Sequence, residues 1–501
     1  MTKSSPSDAS TLIERSRTVL IVLTAVLLRI MIGHFPYSGE YEPPRMGDFE
    51  AQRHWMEITL NLPAQEWYVD SEINDPKWWP LDYPPLTAYH EFVIGHVSRI
   101  YEPASIELGH SRGYETDSHR WFMRLTVLLS DLIVYFPAAW LVYKSKPTQR
   151  SRMKLAVLAG LLLNPVLIYV DHAHFQYNSV ALGLVLYGAA AVMNGRVYLG
   201  AICYTLSFMF KQTMLYFAPA FFAFMLGQAL HLRSPAAAVR RVVLLGVAVL
   251  LTVSVVLVPV IADCRTGDCL RVRLRQILER VFPFWRGIFE DYVANFWVAI
   301  SPVLRLRTAP DNFIHKLRSL SGICTLVTSV VPCWSVLRRP APERFPTVLA
   351  AVSLSFYLFS WLVHEKAIVL PLTAIFAGLP FLMDMGLAEV VSGFIQTAFL
   401  SCYPLIVTEK STVGTTAVFI LGFFASMSLT SHKRTETHDN TCARIQKVFN
   451  ITGACSVLGL LYIQPPPRFP FLWQLIIAES CFASFSITWM RLLCVLRRNP
   501  A

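Results

Sequence analysis

Repeated apolar runs near 20 residues long, separated by short basic loops, constrain this chain more than any other feature of its sequence. Lipid offers no hydrogen-bond partner to a backbone, so such runs must be helices or strands of a closed barrel. These runs are continuous and rich in Leu, Val and Ala rather than alternating, which selects helices. Only 15% of the 501 residues are charged, against about a quarter in a soluble domain. The chain has too few charges to coat a water-facing surface. The expected fold is an all-α polytopic membrane protein.

About fourteen spans are predicted, near 18–34, 122–143, 155–170, 176–193, 197–210, 213–229, 242–261, 319–337, 346–363, 366–383, 387–407, 412–430, 448–464 and 471–492. With the N-terminus in the cytosol, the loops at 144–154, 230–241, 338–345 and 431–447 and the tail with Arg497 and Arg498 share the cytosolic side. Each is rich in Lys or Arg, as cytosolic loops are. Loop 262–318 is the exception, lumenal yet carrying ten Lys and Arg. Long loops obey the charge rule weakly. A span at Val293 to Leu304 would put the later basic loops on the wrong side, so that stretch is read as interfacial or re-entrant. The run RVRLRQILER, with Arg271, Arg273, Arg275 and Arg280, reads as a basic amphipathic helix on the membrane surface, able to attract phosphate-bearing lipids.

The organisation expected is a cytosolic tail (1–17), a membrane module (18–261) holding the lumenal loop 35–121, the basic lumenal loop 262–318, a second module (319–492) and a cytosolic tail (493–501). The first apolar run, Val19 to Ile32, contains Arg29 and lacks a small-residue cleavage site, so it reads as a retained span. Trp55, Trp67, Trp78 and Trp79 are expected at the membrane interface. The net charge of +11 resides in the loops between spans, which argues against nucleic acid and for lipid as the neighbour. Cys264 and Cys269 lie five apart in a lumenal loop, either bridged or as two free thiols. The sequon at Asn450 falls at a cytosolic span boundary and is expected to be unmodified.

Ionisable groups at membrane depth are costly, so each one is a functional candidate. Six unusual polar clusters fall on the lumenal side: GDFEAQRHW (Gly47 to Trp55), LDYPP (Leu81 to Pro85), DHAHFQYN (Asp171 to Asn178), the pair Lys211–Gln212, RGIFED (Arg286 to Asp291) and VHEK (Val363 to Lys366). Structural polar residues would scatter over both faces. Asp48, following Gly47 at a helix start, can cap that helix or act as a general base toward a sugar hydroxyl. Arg53 and His54 can meet substrate or pair with Glu50 and Glu57 at helical spacing. Asp171, His172 and His174 can ligate a metal or hydrogen-bond to sugar hydroxyls or the bundle interior. His364 and Lys366 can offer positive charge to a phosphate, or simply form a polar turn.

At these clusters the sequence resembles the eukaryotic dolichyl-phosphate-glucose-dependent glucosyltransferases of N-glycan precursor assembly. The likeness runs through GDFEAQRHWMEITLNLPAQEWY, LDYPPLTAYH, HSRGYE, DHAHFQYNSVALG, KQTMLY, RVFPFWRGIFEDYVANFW and VHEKAI. It implies a C-type glycosyltransferase fold in the endoplasmic reticulum membrane with a lumen-facing site. It also implies an inverting transfer from dolichyl-phosphate glucose to a dolichyl-pyrophosphate-linked oligosaccharide, forming an α-1,3 bond without metal or other cofactor. Asp48 becomes the expected base and His364 the expected donor-phosphate contact, with Lys366, Arg286 and Lys211 as further cationic candidates. Arg53, His54, Asp82, Asp171, His172, His174, Gln176 and Asp291 are the candidate substrate-binding residues. Pro80 and Tyr292 depart from the family pattern and bear on local loop shape and secondary phosphate contacts.

Within the family, the intact GDFEAQRHW and FEDYVANFW runs favour addition of the first glucose to the nine-mannose acceptor over the sister activity that adds the second. A transporter or scramblase would show paired half-repeats with helices broken at the midplane. None is visible. A structural subunit would not need a carboxylate at Asp48.

Overall fold

The computed structural model describes residues 6–40, 47–149, 153–282, 293–306, 310–412, 414–416, 419–420, 422 and 441–498. Among them there is no strand. Eight helices are long and apolar enough to cross a membrane: Asp117–Lys144, Lys154–Phe175, Gln212–Leu230, Pro235–Ile261, Asn312–Arg338, Glu365–Asp384, Ala388–Thr408 and Leu472–Arg497. Asn178–Met193, Val197–Phe210 and Phe345–Phe359 are apolar but shorter. The helices Pro6–Ile32 (α1) and Thr441–Tyr462 cover two further expected spans. The expected span at 412–430 lies largely outside the described residues.

Burial sorts these helices. In Glu365–Asp384 94% of the apolar window is buried inside the protein, and in Lys154–Phe175 72%, whereas in Pro235–Ile261 only 11% is. The last exposes Val247, Leu250, Leu251, Val255 and Val258, a surface that only lipid can cover favourably. The two most buried helices therefore form the centre. Where central helices meet, small residues let backbones approach: a Cβ on Gly188 would lie 3.1 Å from the Gly200 carbonyl oxygen. Polar side chains add interhelical bonds. Asn450 donates to the Gly393 carbonyl at 3.0 Å and accepts from Thr397 at 2.6 Å, so the sequon asparagine is spent on helix packing.

Contacts between chain segments agree with the alternation read from charge. At one end Glu14 meets Tyr143 and Lys154, Asn194 accepts from the Lys146 backbone, and Arg344 donates to the carbonyls of Leu496 and Arg498. All these segments were assigned to one side. Of the polar clusters, those within the described residues gather at the other end.

The loop at 35–121 is partly helical, beginning at the helix start expected near Gly47. It contains α2 (Gly47–Asn61) and α3 (Pro85–Tyr101), packed on each other. Trp55 and Trp67 do not face an interface but are buried with Tyr68, Leu81 and Ala88 in a small core of their own, and Trp78 is buried as well. The reason is that the helix Gly267–Val281 lays Ile277 and Val281 on the same core. That helix is the expected basic one. Its Arg280 reaches Asp70 at 2.6 Å and its Arg273 reaches Asp263 at 2.9 Å, while Arg271 and Arg275 stay exposed. Cys264 and Cys269, just before and within it, are disulfide-bonded. The helix Phe296–Leu304 has nine residues, about 14 Å at 1.5 Å per residue, which is too short to span.

One ion pair lies deep among the helices. Arg29 of α1, 1% exposed, binds Asp131 at 2.5 Å and the Leu162 carbonyl at 2.8 Å, and His172 approaches the same carboxylate at 3.1 Å. Removing one partner strands the other charge, so Asp131→Leu should cost about 3–5 kcal/mol. The double variant Arg29→Leu/Asp131→Leu should cost less than the two single losses combined. Thermal unfolding of the detergent-solubilised protein reads both; simple additivity would show the charges to be uncoupled.

Candidate active site

Gly47 opens α2 in a left-handed conformation (φ +55°), and a Cβ there would lie 2.4 Å from the Ser38 hydroxyl oxygen. Only glycine lets the segment through Ser38 pack this tightly on the start of α2. The Ser38 backbone N–H in turn donates to the His174 carbonyl at 3.1 Å. These two contacts set Asp48 beside the DHAHFQYN segment. Acidic residues in the first turn of α2 also suit its positive end.

DHAHFQYN is itself bent to serve two directions. Tyr169–Phe175 forms a wide π-type turn, and Phe175 then adopts φ +86°, a costly conformation for a bulky side chain. Phe175 is held there against Phe49, Tyr177 and the Arg124 guanidinium. The helix is thereby broken at Phe175, and Gln176 returns toward Asp48. Asp171, fully buried, accepts from the backbone N–H groups of Asn178 and Ser179 at 3.1 and 2.7 Å and so caps the next helix. His172 turns to Asp131 and His174 to Asp48. The three residues weighed as a metal set thus face three different partners.

Asp48 is the meeting point. Its Oδ2 lies 2.5 Å from His174 Nε2, accepts from Gln176 at 2.6 Å and accepts from Lys366 Nζ at 3.0 Å. Lys366 is also 2.8 Å from His174 Nε2. Burial alone would raise the Asp48 carboxyl, but the charges of Lys366 and His174 outweigh it and hold it well below the usual carboxylate range. The Asp48 side chain nonetheless keeps 26% of its surface open. It is an ionised carboxylate with room for a ligand.

A second row of polar groups backs this one. Lys211 Nζ donates to Gln176 at 3.0 Å and to Asn178 at 2.6 Å, and sits 4.8 Å from the centre of the Tyr83 ring. Asp82 acts on Lys211 electrostatically, and its carbonyl accepts from Gln212 at 3.0 Å. His364, half-buried, immediately precedes the turn Glu365–Ile368 that carries Lys366. Arg286 and Asp291 lie outside the described residues.

Arg53 and His54 do not join Asp48. Arg53, fully buried, bridges Glu50 at 2.6 Å and Glu57 at 2.9 Å, and His54 faces Glu57 at 3.2 Å. The HSRGYE loop and the Gly109 before it close over this side, with the Gly109 and Gly113 N–H groups on Glu57 and Glu50. Burial opposes ionisation of Glu57, yet His54, Arg53 and Gly109 bring it down to about 2. This network takes up the pairing alternative open to Arg53 and His54 and braces α2. One residue the sequence reading left out stands behind the site: Glu409, 6% exposed, which binds His174 Nδ1 and the Tyr169 hydroxyl. Its signal was available, since the turn after 387–407 falls on the same side as the six clusters.

A base-like carboxylate among cations, at one end of a helical membrane bundle, fits glycosyl transfer from an anionic lipid donor. Comparison with known proteins bears on this. An Arabidopsis thaliana protein is 37% identical over 481 residues, covering 93% of this chain and 86% of that one. It is named a probable dolichyl pyrophosphate Man9GlcNAc2 alpha-1,3-glucosyltransferase. Proteins from Saccharomyces cerevisiae and Mus musculus, carrying the same name without the qualifier, are 34% and 32% identical over more than nine-tenths of this chain. The matching family description reaches from residue 25 to 492 and so takes in every segment that converges on Asp48. The chain belongs to the ALG6, ALG8 glycosyltransferase family.

Proposed function

We propose that this protein transfers glucose from dolichyl-phosphate glucose to the nine-mannose dolichyl-pyrophosphate-linked oligosaccharide, forming an α-1,3 bond with inversion. The site faces the lumen of the endoplasmic reticulum. The observation that carries this reading is the partly exposed Asp48 carboxylate with Lys366 bonded to it and the flanking His364 two residues before that lysine. The full-length relatives named for that reaction support the acceptor assignment.

In the reaction a mannose hydroxyl of the acceptor attacks the anomeric carbon of the donor glucose. The new C–O bond forms as the bond to phosphate breaks on the opposite face, and dolichyl phosphate leaves with the electron pair. The hydroxyl proton passes to Asp48. A carboxylate held far below its ordinary range is a weak base, yet a weak base suffices here. The hydroxyl becomes strongly acidic once its oxygen bonds to the anomeric carbon, so the proton moves late. The leaving phosphate is already an anion and needs no protonation, unlike the alkoxide in glycoside hydrolysis. It needs positive charge nearby in the transition state. Lys366 and His364 supply it, with Lys211 and Arg286 as further cations. The reading assigns no role to a metal ion.

Asp48→Asn keeps the shape and loses the proton acceptor. It should express and unfold like the parent protein while kcat/KM falls by roughly a hundredfold or more; full activity in this variant would reject the base assignment. The acceptor is tested with purified protein, dolichyl-phosphate glucose and two oligosaccharide lipids, one unglucosylated and one already bearing a glucose. Transfer to the unglucosylated acceptor is expected, and a preference for the other would assign the chain to the sister activity. Turnover should persist in the presence of a strong chelator.

A further inference from the structure

Glu409 ends the helix Ala388–Thr408 and is almost fully enclosed. Both of its oxygens are engaged, Oε2 by the Tyr169 hydroxyl at 2.6 Å and Oε1 by His174 Nδ1. The other ring nitrogen of His174 faces Asp48 at 2.5 Å. One imidazole therefore lies between two carboxylates. A neutral ring carries a single N–H and can donate to only one of them. Donation to both requires the imidazolium. Lys366, 2.8 Å from the same Nε2, works against that second proton, and Glu409 works for it.

We propose that Glu409 is a positioning residue for the transfer reaction: by holding His174 Nδ1 it turns Nε2 onto Asp48, keeps the ring charged, and so fixes the base in place. This rests on the assignment of Asp48 as base. The hydrogen bonds of Glu409 go to Tyr169 and His174, and its effect on Asp48 travels through the imidazole. The charged groups acting directly on that imidazole are Glu409, Lys366 from the turn Glu365–Ile368 and Asp48 from α2; behind them Glu365 acts on Lys366, the Tyr169 phenol bonds Glu409, and Arg124 of the helix Asp117–Lys144 interacts with Glu409.

Replacing Glu409 with Gln has two opposed effects on Asp48. Loss of a negative charge a ring's width away favours its ionised form slightly. Loss of the imidazolium at hydrogen-bond distance disfavours that form more, because the interaction weakens with separation. The second effect wins. A base whose ionised form is stabilised stays active until pH falls through its low pKa, so weakening that stabilisation moves the loss of activity to higher pH.

The test is the pH dependence of transfer by the purified full-length protein, with dolichyl-phosphate glucose and the unglucosylated acceptor. Glu409→Gln should lower kcat about tenfold, leave the donor KM within about twofold, and move the acid limb of kcat/KM up by about one pH unit. Tyr169→Phe, which removes one oxygen that orients Glu409, should move it the same way by less. An acid limb in the wild-type position in both variants, whatever the overall rate, overturns the proposal. If Glu409→Gln does not accumulate as folded protein, the Tyr169→Phe profile decides alone by the same criterion. Asp48→Asn serves as control: an inactive control with unmoved limbs removes only Glu409's role, whereas a fully active control removes the base assignment itself.

Discussion

Everything at this site depends on one carboxylate satisfied by three donors that the sequence keeps far apart. His174, Gln176 and Lys366 reach Asp48 across separations of 126, 128 and 318 residues. A carboxylate among apolar helices is tolerable only with such partners. The fold must therefore hold three segments in register, the start of α2, DHAHFQYN and the turn with Lys366, and it places two of them at the ends of its most enclosed helices. Lys154–Phe175 delivers His174 and Glu365–Asp384 delivers Lys366, and these are the two most buried of the long apolar helices. The peripheral helix Pro235–Ile261 contributes no group to Asp48.

The same arrangement explains why charged residues elsewhere are locked away. Arg53 with Glu50 and Glu57 stiffens α2 from behind, so that its first turn presents Asp48 and little else. Arg29 with Asp131 and His172 ties α1 to the helices beside the site. Both networks satisfy charge internally. The Asp48 cluster differs in leaving its carboxylate a quarter exposed.

Much of this was legible in the sequence, for a physical reason. Lipid forces backbones into helices, and basic loops report which side each helix end occupies. Those two rules gave the bundle and gathered Asp48, His174, Gln176, Lys211 and Lys366 at one end. What they do not encode is the partner of each side chain, because partners are chosen by packing across hundreds of residues. Lys366 was read as a phosphate contact, and its pairing with Asp48 was not foreseen. His172 and His174, two positions apart, were read together and face opposite networks, because a helical turn sends alternate residues to different sides. Glu409 went unremarked because a lone acid in the turn TEKST looks like a solvated polar turn; the side of the membrane assigned to that turn was the one hint, and the tertiary contact with His174 supplies the partner. The tryptophans of the loop 35–121 were assigned to the interface because the helix that covers them, Gly267–Val281, is some 200 residues away in sequence.

The central claim is that the donor phosphate and the attacking hydroxyl meet between Asp48 and the turn carrying His364 and Lys366. An experimental structure of the Asp48→Asn protein bound to dolichyl-phosphate glucose tests it most directly. The account predicts the phosphate within ion-pair distance of Lys366 or His364 and the anomeric carbon facing residue 48, one sugar hydroxyl's reach (about 3–3.5 Å between reacting atoms) from the space an acceptor would fill. A donor bound at the opposite end of the bundle, or with its anomeric carbon turned away from residue 48, would contradict it.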